Sequence, residues 1–201
     1  MGMNINEADL DLLKEIGNIG AGNAASALSE MLGQTVTINV PRCELIQFSE
    51  MTNIIGDPEH VILGILVQLQ DDMEGYILLA QELEDSVETV KALMGQDVSI
   101  ENGINLEDFD LLKEVTNILA GSYLSAISEM TGMRIDISIP AMTADMAMAI
   151  MNVPALVYGE VGESVLMLDT QFGGAAECIH GHFFLIPTIE SLEKLKKALN
   201  M

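Results

Sequence analysis

The chain contains one stretch of itself twice. Residues 9–41 read DLDLLKEIGNIGAGNAASALSEMLGQTVTINVP, and residues 108–140 read DFDLLKEVTNILAGSYLSAISEMTGMRIDISIP. At an offset of 99 residues, 18 of 33 positions are identical, and most others are apolar exchanges such as Ile16/Val115 and Leu28/Ile127. The later parts agree more loosely, with 73–95 parallel to 179–201. Only two copies at so long a period exclude a solenoid and indicate a duplicated unit. The expected organisation is one pseudo-symmetric domain, residues 1–201, built of repeats spanning about 7–100 and 106–201. At 49% apolar residues such a domain can build its core without disulfides.

Each copy reads as a long helix, then strands, then a closing helix. The long helices are expected at about 7–32 and 106–131, started near Asp9 and Asp108 and stopped at Gly33 and Gly132. TVTINV (35–40) and RIDISI (134–139) alternate and are β-branched, as half-buried strands are, and each is expected to end at a proline, Pro41 or Pro140. Residues 61–69 and 75–80 read as a hairpin turning at QDDMEG; 164–170 and 178–186 take those places in the second copy. Residues 82–94 and 188–199 are amphipathic helices. Hairpin-joined strands grouped between helices imply an α+β fold. Its mainly antiparallel sheet is shared by the two copies about a pseudo-two-fold axis and flanked by two long helices and shorter ones.

Charge narrows the function. Eight Lys+Arg against 31 Asp+Glu give −23, which excludes binding to a nucleic-acid backbone as the main activity. The N-terminal MGMNINEADL is unlike a signal peptide, and apolar runs such as 61–67 are too short to span a bilayer. Cys43 and Cys178 lack metal-ligand spacing and suit a reducing compartment. A soluble, cytoplasmic protein is expected, without membrane insertion.

Chemistry is sought where the copies agree without a packing reason. On a helical wheel Leu12, Leu13, Ile16, Ile19 and Gly20 fall on one side, while Asp11, Glu15, Asn18 and Gly22 cluster opposite. The second helix repeats this with Leu111, Leu112, Val115, Ile118 and Leu119 against Asp110, Glu114, Asn117 and Gly121, and Ser29 and Ser128 extend the stripe. A polar stripe is usually just a solvated face. Here Asp-x-x-x-Glu-x-x-Asn recurs unchanged, in both copies with a proline 23 residues after the Asn. At ~5% usage per residue type, one copy arises by chance on the order of 10⁻⁵ times per start position. Asn and Gly are also poor choices for an exposed helix interior, Gly costing about 1 kcal/mol against Ala. The glycine one turn beyond the Asn leaves room for another surface to approach.

Other constellations are weaker. His180-x-His182 places two imidazoles on one side of a strand, but no third ligand has recognisable spacing, and the first copy has Glu74 and Tyr76 there. No metal site is assigned. His60, in DPEH, is expected to face water, and the two cysteines have no adjacent base. GNIGAGNAA (17–25) sits inside the helical pattern, follows no strand and lacks the phosphate-loop lysine, which excludes a nucleotide loop. The segment 141–152, AMTADMAMAIMN, reads as a short helix, apolar nearly all round, with Asp145 its one charge. Its methionines, Met146 among them, suit either a core or an adaptable interface.

Asp11, Glu15, Asn18 and Pro41, with Asp110, Glu114, Asn117 and Pro140, match the signature of the CheC/CheX/FliY family of chemotaxis phosphatases, which the chain resembles along essentially its full length. Two sites in about 200 residues are similar to the CheC-like members. The resemblance implies hydrolysis of the aspartyl phosphate of the response regulator CheY at two equivalent helix-borne sites. Glu15, Asn18, Glu114 and Asn117 are then catalytic, and Asp11, Gly22, Asp110 and Gly121 are supporting. It implies no cofactor of the chain's own, with Mg²⁺ supplied by the phosphorylated receiver domain. It further implies CheD as a partner, met through the 141–152 segment at Asp145 and Met146. The alternative is a non-catalytic adaptor that docks a response regulator or CheD. A metal-dependent phosphoesterase is a third reading, which requires His180 and His182.

Overall fold

A computed structural model of the chain describes residues 6–47, 50–55, 57–95, 97–101, 103–158, 164–173 and 178–199. The first repeat forms α1 (Glu7–Leu32), β1 (Thr37–Gln47), α2 (Met51–Ile55), β2 (Val61–Asp71), β3 (Gly75–Glu82) and α3 (Leu83–Met94). The second forms α4 (Asp110–Thr131), β4 (Ile135–Ile137), β5 (Ala141–Met146), α5 (Ala147–Tyr158), β6 (Ser164–Gly173), β7 (Cys178–Pro187) and α6 (Ile189–Leu199). The two copies share one element order, except that the single strand after the first long helix is divided into two after the second.

All the described strand pairings are antiparallel, in one sheet of order β1-β6-β7-β3-β2-β4, with β5 also on β2. The repeats exchange their first strands. β1 pairs with β6 of the second copy, β4 and β5 pair with β2 of the first, and β3 and β7 meet at the centre. A pseudo-two-fold relation between the copies follows from this order.

Helices cover both faces. Leu13, Ile16, Ala24 and Leu28 of α1 and Leu112, Val115, Tyr123 and Ile127 of α4 pack with Leu168, Phe183 and Leu185 on one face. Met51 of α2 and Ala147, Ile150 and Met151 of α5 pack with Val165, Met167, Phe184 and Ile186 on the other. Central strands are consequently apolar throughout; Tyr76–Gln81 of β3 is buried at every position. Period-two alternation survives only where one face is wet.

Helix ends follow the chemistry of their sequences. The Asn6 side chain and the Asp9 carboxylate cap each other's backbone N–H at the start of α1. Gly33 and Gly132 close α1 and α4 in the left-handed conformation. The twin helix differs at its start, because Leu106–Phe109 winds as a 3₁₀ turn capped by Asn105 before α4 begins.

Two expectations need correction. β1 does not stop at Pro41 but runs on to Gln47, with a register shift against β6 between Asn39 and Arg42. An edge strand with a bulge tolerates the missing proline N–H. In the second copy the strand does break, into β4 and β5. The helix expected over 141–152 starts only at Ala147. Residues 141–146 are strand β5, because the open edge of β2 offers a ladder from Leu66↔Ala141 to Val61↔Met146.

Candidate functional site

The stripe residues lie on the solvent side of both long helices. Asp11, Glu15, Asp110 and Glu114 are exposed, and Asn18 and Asn117 are half-buried. A side chain at Gly22 or Gly121 would meet nothing within 4 Å, so both glycines leave open space beside the Asn. The other glycines of α1 have a packing reason instead. A Cβ at Gly20 would lie 2.6 Å from Tyr123 Cα, so the two long helices touch backbone to backbone there. Ile19 departs from the wheel: it is 44% exposed, next to Asn18 on the outer face.

The two copies of the motif differ in geometry. In the first, the bulge of β1 leaves the Val40 peptide without a strand partner, and Asn18 takes that place. Asn18 Oδ1 accepts from Val40 N at 3.1 Å, while Nδ2 donates to Val40 O at 3.4 Å and to Lys14 O at 3.1 Å. Ser29 adds a second stitch, accepting from Val36 N at 2.9 Å, so it ties the helix to β1 rather than extending a free stripe. Val40 is 4% exposed.

In the second copy the chain diverges one residue earlier. Ser138 N donates to Gln68 O at 2.9 Å, and Ser138 Oγ accepts from Gln68 N at 3.0 Å. The hydroxyl thus stands in for the ladder acceptor, and residues 138–140 leave the sheet between β4 and β5. Ile139, the counterpart of Val40, points into solvent at 90% exposure. Asn117 has no hydrogen-bond partner among the described residues, and its amide faces a groove of about 440 Å³. Asp110, Lys113, Glu114, Ile137, Ser138, Ile139 and Pro140 complete the lining. The sites are equivalent in sequence and unlike in form: one carboxamide is latched to a strand, the other is open.

Asp110 Oδ1 lies 2.6 Å from Lys113 Nζ, an i,i+3 ion pair on the groove wall. This places Asp110 as the partner of a lysine that sequence reasoning passed over, although Lys14 and Lys113 recur within the shared DLLKE. A groove with one ammonium, one free carboxylate and one free carboxamide can bind and orient.

The remaining candidates fall elsewhere. Asp145 and Met146 are exposed at the end of β5, ahead of α5 rather than within it, and Asp145 Oδ1 accepts from Met146 N at 2.7 Å. His182 Nδ1 lies 3.0 Å from Asp169 Oδ1 on the neighbouring strand, and the side chains of His180 and Cys178 lie outside the described residues. His60 faces Glu82 and Glu84 rather than water alone, with Nε2 4.0 Å from a Glu84 oxygen. Cys43 is buried, and desolvation pushes its thiol up to about 12. In a Cys178→Ser background we therefore expect Cys43 to resist an aromatic disulfide reagent at pH 8. Reaction at the rate of the urea-unfolded chain contradicts this. No described helix is long and apolar enough to cross a membrane.

Known proteins resemble this chain in sequence and in fold. The pattern of the CheC-like family matches residues 9–45 and 109–143, once over each helix and following strand. The CheY-P phosphatase CheC of Bacillus subtilis is 31% identical over 199 residues, covering 97% of this chain and 95% of that one. Among solved structures, Thermotoga maritima FliY superposes with a TM-score of 0.75 at 20% identity over 98% of each chain. CheX of Borrelia burgdorferi, in a complex with CheY, BeF₃ and Mg²⁺, superposes with a TM-score of 0.51 at 18% identity, over 83% of this chain and 95% of that one. By its near-full-length identity to the Bacillus protein and its twice-matched pattern, this chain belongs to the CheC-like family.

Proposed function

We propose that this protein is a phosphatase that hydrolyses the aspartyl phosphate of the chemotaxis response regulator CheY. One observation carries the proposal: a free carboxamide, Asn117, stands beside a free carboxylate, Glu114, at an open groove on a rigid helix. The near-full-length relative named for this activity supports it.

An acyl phosphate is already labile, and what limits its hydrolysis is an oriented water. Asn117 has both donor and acceptor atoms and would hold that water in line with the phosphorus. Glu114, one turn earlier, would pair with a lysine of the receiver and set the carboxamide in register. The receiver brings its own Mg²⁺. Glu15 and Asn18 hold the same roles in the first copy, once the bond to Val40 opens. The chain acts as one unit of two repeats, consistent with their exchanged strands, and works in the cytoplasm. CheD is a second proposed partner, met at the exposed Asp145 and Met146; unchanged CheD binding by Asp145→Lys in calorimetry removes that surface.

Phosphate loss from phosphorylated CheY tests the proposal with the wild type, with Asn18→Ala plus Asn117→Ala, and with His180→Ala plus His182→Ala. Only the double Asn variant is expected to lose activity while still binding. Binding by the wild type without accelerated decay gives the adaptor reading instead. Gly121→Ala is a further check on the approach of the receiver. It is expected to stabilise α4 by up to about 1 kcal/mol and to lower turnover, because the methyl occupies space the receiver needs. A gain in both contradicts the docking face.

A further inference from the structure

Resting on the proposed function, we infer that Ile139 is the apolar anchor by which the groove grips the phosphorylated receiver, and the residue that directs docking to the second copy. Among the described residues it is the most exposed large apolar side chain, at 90%. It is held out firmly rather than hanging loose. Ser138 is bonded through both N and Oγ to the Gln68 backbone, its hydroxyl reaches Ile139 O at 3.2 Å, and Pro140 follows with a fixed φ. The side chain lines the same groove as Asn117 and Glu114. A surface that covers the carboxamide must therefore cover Ile139 too.

Ile137 and Pro140 flank it along the chain, and the rest of the lining is polar and charged: Asp110, Lys113, Glu114, Asn117 and Ser138. An apolar projection ringed by polar groups is the usual composition of a binding centre, where a few buried side chains dominate affinity. At the matching position the first copy offers no such projection, since Val40 is buried and bonded to Asn18. Residue identity is nearly the same at the two positions, and only the path of the chain differs. Copy choice is thus written in backbone geometry.

Steady-state dephosphorylation of phosphorylated CheY separates the anchor from the chemistry. Ile139→Ser is expected to raise KM about tenfold, with kcat falling far less and the melting temperature unmoved, while Asn117→Ala lowers kcat. Ile139→Leu should restore most of the lost affinity. A wild-type KM in Ile139→Ser, or a loss confined to kcat, overturns the anchor while leaving the phosphatase reading intact. A wild type that produces no turnover overturns both.

Discussion

Asn117→Ala is expected to cut turnover of phosphorylated CheY by roughly 10- to 100-fold while leaving the melting temperature unchanged. Asn18→Ala is expected to lower the melting temperature by several degrees with a much smaller loss of turnover. The two substitutions are the same in sequence terms. They differ because the Asn117 amide is free at an open groove, whereas the Asn18 amide carries the Val40 peptide. Removing a water-orienting group costs on the order of 1.4–2.8 kcal/mol of transition-state stabilisation for that loss of rate. Removing Asn18 instead leaves a buried N–H and C=O unsatisfied, at about 1–3 kcal/mol. For a chain of this size each kcal/mol moves the midpoint by roughly 2–4 °C. Thermal melts and phosphate-release assays on the two variants provide the check. Equal losses of turnover with equal stability contradict the latched-and-open distinction.

Gly20→Val is expected to produce the largest stability loss of any single helix substitution considered, about 3 kcal/mol or more. A Cβ there would sit 2.6 Å from Tyr123 Cα and 3.0 Å from Tyr123 N, so it is backbone, not a pliant side-chain tip, that must move. Overpacking a close-packed interior usually costs about 1–3 kcal/mol when side chains can yield. Gly17→Ala is the control. Its Cβ meets the Leu168 Cδ2 tip at 2.8 Å, and the gain in helix propensity offsets part of the strain. Denaturant melts should show a large drop for Gly20→Val and a change within about 1 kcal/mol for Gly17→Ala. Similar effects at the two glycines contradict the backbone contact between α1 and α4.

The repeated helices were legible because helix period, caps and glycine stops all agree in both copies. The hairpin of β2 and β3 was equally so, from QDDMEG and its flanking apolar runs. The motif residues were found because identity persisted where packing did not demand it. Other features depend on contacts distant in sequence. Ala and Met make 141–146 look helical, yet six register pairs with β2 outweigh that propensity. Pro41 looked like a strand end, but the edge position and the Asn18 amide make a bulge affordable there. The 99-residue offset equates Val40 with Ile139. It conceals that Ser138 takes over the pairing with Gln68 and turns the following residue outward. Ile19 lies at the margin of the packed arc, where a wheel cannot tell in from out.

Hydrogen exchange on the complex with a beryllofluoride-activated CheY tests most directly where the phosphorylated pocket is completed. The account predicts slowed exchange on α4 around Glu114–Gly121 and at residues 137–141, with β1 and Asn18 little changed. Protection confined to the α2 and α5 side of the sheet, with α4 exchanging as in the free protein, would contradict it.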